Sequence, residues 1–211
     1  MESDLEKALV THIEKFLLCE VGIMIDKGRL EAFTDAIIAI AATIMVLELA
    51  APNEVSITSL LSQWSIFLAY VNSFAMIYII WLNHYRSFKK VSQISVKSFF
   101  INGIWLFFLT LVPFATSWVG KHPNDTLPEL LYAVVLLLWS VMYQILDNQI
   151  VKDNPESKID STNKLSLRIP MYCGYILAIV LAFVKPVLCL IVILWILILI
   201  TIHFLVVRKK K

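Results

Sequence analysis

The chain has 211 residues, of which 59% are hydrophobic and only 16% charged, whereas a soluble domain carries roughly a quarter charged residues. Mean hydropathy is +0.79, and apolar runs such as Val187–Val207 exceed what a globular core needs but match the thickness of a bilayer. A formal net charge of +2 is too small to imply a nucleic-acid partner, and this composition excludes intrinsic disorder and a secreted disulfide scaffold. The expected class is an all-α integral membrane protein with the lipid bilayer as its surroundings.

Met1-Glu2-Ser3-Asp4 is acidic where a signal peptide is basic, so the N-terminus is expected to be retained. Leu5, Leu9, Ile13, Phe16 and Leu17 then recur near helical spacing among charged residues. Residues 1–28 are thus predicted to be a cytoplasmic or interfacial amphipathic segment, which lies on the membrane surface or bundles with copies of itself. Asp26-Lys27-Gly28 reads as a break. Six spans follow, at about Leu30–Leu49, Ile57–Asn83, Ser98–Trp118, Pro128–Asn148, Leu167–Val184 and Val187–Val207, forming one six-helix transmembrane domain over residues 29–207. Residues 208–211 make a basic tail. Breakers fall at Pro52-Asn53, His122-Pro123-Asn124, Asn154-Pro155 and Lys185-Pro186, and Pro113 is expected to kink the third span.

With both termini cytoplasmic, every Lys and Arg except Lys121 and Lys185 falls on the inner side, which fixes the predicted orientation. Cys19, Cys173 and Cys189 are odd in number and lack Cys-x-x-Cys spacing, so they read as free thiols with no metal role.

An ionisable group inside hydrocarbon must be paired or useful. Most charged residues within the spans stand at their ends, and Asp35 is the exception, roughly 7 to 9 Å deep at 1.5 Å per residue. By depth, Asn83 and His84 at the end of the second span and Asn102 near Trp105 in the third are expected to meet Asp35 in one polar layer, with Arg29 at its edge. That layer either locks three helices in register or attracts ions and accepts protons.

The first span has two faces. Asp35, Ala39, Ala42 and Val46 form a small-residue stripe suited to close packing. Ile40, Thr43, Ile44 and Leu47 form a second stripe, apolar apart from one hydroxyl. It either faces lipid or a neighbouring helix, or else surrounds a symmetry axis, with Ile40 and Leu47 as hydrophobic constrictions and Thr43 as a ring of oxygen ligands.

Arg29-Leu-Glu-Ala-Phe33-Thr34-Asp35, followed by Ala-Ile-Ile-Ala-Ile40-Ala-Ala-Thr43-Ile-Met-Val-Leu47, resembles the transmembrane protein 175 family of endosomal and lysosomal potassium channels and their prokaryotic relatives. The family motif has Ser where this chain has Thr34, which keeps the hydroxyl. His84, Asn102 and Leu111-Val-Pro113-Phe also look like the family, over about residues 29 to 118. The resemblance implies a potassium-permeable homotetramer in a prokaryotic inner membrane, with no resident cofactor and the first helices lining the pore. Ile40 matches the narrow apolar point, Thr43 the hydroxyl layer where potassium passes transiently, and Leu47 a further constriction, with Ile44 on the same stripe. Arg29, Phe33 and Asp35 match the motif that buttresses the pore helix.

Independently, the five glycines include nothing like Thr-Val-Gly-Tyr-Gly, so a carbonyl-lined filter cannot be built. Three other readings remain: a secondary transporter or a proton conductor using the Asp35/His84 layer, and a haem protein using His84 with His203. The sequence carries no nucleophile elbow, phosphate loop or metal-spaced cluster, so an enzyme is not expected.

Overall fold

The computed structural model describes residues 26–89, 91, 94–156 and 165–208. The predicted amphipathic segment before residue 26 and the tail beyond residue 208 lie outside them. The described residues form seven helices in chain order: α1 (Lys27–Leu47), α2 (Ile57–Ser62), α3 (Trp64–Lys89), α4 (Val96–Lys121), α5 (Thr126–Asp153), α6 (Leu165–Val184) and α7 (Leu188–Arg208). Among the described residues, α1, α3, α4, α5 and the 167–184 stretch of α6 are long and apolar enough to cross a membrane, while α7 is apolar over the shorter run Leu188–His203.

The helix ends follow from local chemistry. Asp26 caps α1 by accepting from the Arg29 amide at 3.0 Å, so the helix begins at Lys27, three residues before the predicted span. Ser95 caps α4 in the same way, accepting from the Ser98 amide at 3.1 Å. α4 runs without a break through Pro113. The turn at Lys185-Pro186 forms as expected, with the Lys185 amide bonded to Leu181 O at 2.8 Å and the Leu188 amide to Lys185 O at 3.0 Å.

The predicted second span is two helices. Gln63 leaves the helical conformation at φ −89°, ψ 16°, and its amide bonds back only to Leu60 and Leu61 carbonyls. The serines before it favour a turn: Ser62 donates to Ser59 O at 2.7 Å and Ser56 caps α2. The ladder restarts when Ile66 and Phe67 donate to Gln63 O. At its other end α3 passes Asn83 and continues to Lys89, placing Arg86 and Lys89 in the last turn where the helix dipole favours cations.

The core lies between α3, α4, α5, α6 and α7, and Leu30, Ile38, Ala41 and Met45 of α1 add to it from one side. Trp105 of α4 and Trp139 of α5 are buried and stack at 6.2 Å. Gly120 permits a close approach, since a Cβ there would stand 2.9 Å from Ile66 Cα, and Ser65 donates to Gly120 O at 2.7 Å across the same crossing. α1 packs chiefly on α4, with α3 beside it, and so lies at the margin of the bundle.

Two carboxylates are covered by the protein in a way that position in the sequence does not reveal. Glu129 and Asp147, which the sequence places at span edges, are 0% and 1% exposed, whereas Asp35 is exposed. Depth along a helix is readable from sequence position, but the direction a side chain faces depends on which neighbours arrive. Asp147 is held by the Ser87 hydroxyl, and the Cys189 thiol lies 3.5 Å from the backbone carbonyl of Glu129.

Candidate functional site

α1 divides sharply into two faces. Leu30, Thr34, Ile38, Ala41 and Met45 are buried against the bundle. Ile40, Ile44 and Leu47 are 57%, 43% and 80% exposed, and Phe33 is 60% exposed. At 100° per residue the centre of this exposed stripe lies roughly 130° around the helix from the buried arc. Arg29 and Thr43 are exposed on the same side. The Thr43 hydroxyl lies 2.9 Å from Ile40 O and 3.0 Å from Ala39 O, so its proton is held by the helix and its oxygen lone pairs point away from the backbone.

The predicted polar layer divides into three separate places. Thr34, Asn102 and His84 do meet: Asn102 Nδ2 donates to Thr34 Oγ1 at 2.9 Å, and His84 Nε2 lies 3.2 Å from Asn102 Oδ1. Because an amide oxygen only accepts, His84 carries its proton on Nε2 in this contact. The imidazole is further enclosed by Phe88 at 4.1 Å and Trp105 at 5.0 Å, both stacked on it. All three members are buried, so the network ties α1, α3 and α4 together within the protein.

Asp35 does not join it. Its Oδ1 accepts from Trp81 Nε1 at 2.9 Å on the exposed side of the α1–α3 contact. There it borders a groove with Ala39, Ala42, Phe74 and Tyr78. Asn83 also lies elsewhere: it is buried, its Oδ1 is without a hydrogen-bond partner, and it lines a small cavity of about 40 Å³ with Ser140, Tyr143 and Tyr175. The reason is helical: neighbours in sequence point about 100° apart, so neither Thr34 and Asp35 nor Asn83 and His84 can share one layer. Arg29 contributes its backbone amide to the Asp26 cap. Asp35 and His84 are thus apart in this structure, each with its own partner.

At the far end of α1 the structure shows a cluster that sequence reasoning missed. Glu48 is the C-cap residue, and its Oε2 accepts from Ser117 Oγ at 2.7 Å and from Lys121 Nζ at 3.0 Å. The Ser117 hydrogen bond and the Lys121 ammonium hold this carboxyl below the ordinary carboxylate range. A signal existed in the spacing of Ser117 and Lys121, one turn apart on α4, but nothing in sequence links them to Glu48. Trp81 was likewise missed, since an indole near a span end reads first as an interface anchor.

The site therefore comprises a marginal helix with a continuous exposed apolar face, a hydroxyl in its midst and a buried polar network behind it. Residues 29–113 match the family described as Endosomal/lysosomal potassium channel TMEM175. A protein named as a potassium channel from Chryseobacterium sp. (strain P1-3) is 40% identical over 131 residues, covering 62% of this chain and 68% of that one. The human protein named Endosomal/lysosomal proton channel TMEM175 is 26% identical over 136 residues, 57% of this chain but only 27% of its own length. Among solved structures, that of a lysosomal potassium-selective channel TMEM175 homolog from Chamaesiphon minutus superposes with a TM-score of 0.73 at 31% identity, over 84% of this chain and 97% of that one. The chain belongs to the TMEM175 family of ion channels and is not an enzyme.

Proposed function

We propose that this protein is a potassium-permeable channel in which several copies, four on the family resemblance, place their α1 helices around a common axis. In this reading α7 crosses the bilayer as a sixth span, both termini are cytoplasmic, and the protein resides in a prokaryotic inner membrane. The observation that carries the reading is the exposed stripe Ile40, Thr43, Ile44 and Leu47, which no helix among the described residues covers. Relatives that are named potassium channels support the permeant ion.

Around an axis, Ile40 and Leu47 form apolar constrictions that admit ions only when wetted, and Ile44 sets the wall between them. Thr43 then offers a ring of hydroxyl oxygens whose protons the helix already holds, so they meet a transient potassium ion as acceptors. Selectivity arises from side chains and pore width and is modest. Thr34, Asn102 and His84, with the Asp35–Trp81 bond, brace α1 from behind, and Arg29 and Phe33 lie at the entrance of the stripe.

The test is liposome flux or planar-bilayer recording under potassium, sodium and caesium gradients. Wild-type protein should pass potassium by a linear flux that needs no counter-substrate. Ile40→Asn should raise the leak of sodium and caesium several-fold by removing the apolar constriction. Unchanged conductance and selectivity in Ile40→Asn would show that the stripe faces lipid.

A further inference from the structure

We infer that Glu48 and Lys121 set how strongly the channel's mouth at the C-terminal end of α1 attracts cations, with Glu48 supplying the attraction and Lys121 moderating it. This rests on the pore reading above. Glu48 directly follows Leu47, the last residue of the exposed stripe, so a carboxylate stands wherever that stripe opens to water. On the helix wheel it lies roughly 90° from the centre of the stripe and in line with buried Leu30, on the side that meets Ser117 and Lys121 of α4. Its side chain is 43% exposed and that of Lys121 is 46% exposed, so both charges are hydrated.

The pair is not symmetric about the stripe. Glu48 belongs to the lining helix, whereas Lys121 and Ser117 belong to α4, which packs behind it. Copies arranged with α1 inward therefore form an inner ring of carboxylates backed by an outer ring of ammonium groups. The nearer ring leaves a residual negative field at the mouth, because Coulomb energy falls with distance. A ring of acidic side chains concentrates cations at an entrance, as in cation channels with Asp or Glu rings. Lys121 both offsets this charge and draws the carboxylate sideways toward α4. No other part of the described stripe carries charge at this end: Thr43, Ile44 and Leu47 are neutral.

Single-channel conductance as a function of ionic strength reads this directly. The Debye length is about 30 Å at 0.01 M salt and about 3 Å at 1 M, so an entrance field matters only at the lower concentration. In 0.01 M KCl, Glu48→Gln should lower potassium conductance roughly two- to five-fold, more for current entering from the Glu48 end. In 1 M KCl it should conduct as wild type. Lys121→Gln should raise conductance in 0.01 M KCl, and Lys121→Arg, which keeps the charge, should behave as wild type. Size-exclusion elution of each variant guards against loss of assembly, and Lys121→Arg keeps the comparison valid if Lys121→Gln folds poorly. If wild type conducts and Glu48→Gln matches it in 0.01 M KCl, the entrance role is overturned while the pore stands. If wild type carries no potassium current in 1 M KCl, the pore reading fails and this inference with it.

Discussion

Replacing Asn102 with leucine tests whether the buried network holds the lining helix in place. The side chain bridges Thr34 at 2.9 Å and His84 at 3.2 Å, and these three residues are 0%, 0% and 2% exposed for Thr34, Asn102 and His84. Leucine fills a similar volume but leaves the Nε2–H of His84 with no acceptor and one lone pair of Thr34 with no donor. A buried donor without a partner costs about 1 to 3 kcal/mol. Thr34 adds less, since a hydroxyl oxygen tolerates one unused lone pair. Hydrogen bonds between membrane helices average nearer 0.6 kcal/mol where the freed groups find new partners. Here His84 is clamped between Phe88 and Trp105 and cannot turn to another acceptor. The expected loss is therefore about 2 kcal/mol, roughly thirty-fold in the folding equilibrium. Reversible unfolding in mixed detergent micelles measures it, and His84→Phe supplies a double-mutant cycle. On the His84→Phe background the Asn102→Leu penalty should fall by at least about 0.5 kcal/mol. A penalty for Asn102→Leu below about 0.5 kcal/mol, or equal penalties on both backgrounds, would refute the reasoning.

Two glycines should differ in a defined way. Gly120→Ala pushes a Cβ to 2.9 Å from the backbone Cα of Ile66, so the α3–α4 crossing must open at a cost of about 1 to 3 kcal/mol, whereas at Gly174 the obstacle is the movable end of Ile196. Thermal midpoints of the two variants check the order, and a Gly174→Ala loss as large as that of Gly120→Ala would contradict it. The Glu48 carboxyl lies below its ordinary value of 4.5 through its bonds to Ser117 and Lys121. Its contribution to stability is present above that ordinary value and is lost as pH falls through the lower folded value. The midpoint difference between wild type and Glu48→Gln should therefore shrink between pH 5 and the acid limit, and be small throughout because both partners are half exposed. A difference that grows on acidification would be inconsistent with that pairing. In the Ile40→Asn flux assay, increased passage of sodium and caesium is the expected outcome.

How much was legible in the sequence depended on whether the property is local. Apolar run length and the breakers Asn154-Pro155 and Lys185-Pro186 were enough to place most helices, since each backbone in a bilayer must satisfy its own hydrogen bonds. The 3.6-residue period separated Ile40, Thr43, Ile44 and Leu47 from the opposite face of α1, and the structure keeps them together and exposed. The break at Gln63 was not legible because it lacks Pro and Gly and arises from serine turn bonds within an apolar stretch. The polar layer was half legible. Depth matching found Thr34's helix, His84 and Asn102 at one level, yet it placed Asp35 and Asn83 there as well.

Sequence by itself determined that this chain is helical, membrane-embedded and carries near residues 29–49 a helix with one apolar face, because hydropathy and period are properties of consecutive residues. Tertiary structure alone decided which polar groups meet. Asp35 pairs with Trp81 rather than His84, Glu48 pairs with Lys121 and Ser117 across α1 and α4, and Glu129 and Asp147 are buried. Those pairings depend on how each helix is rotated about its axis, and the rotation is set by close packing at crossings such as Gly120 on Ile66, which join residues far apart in the chain.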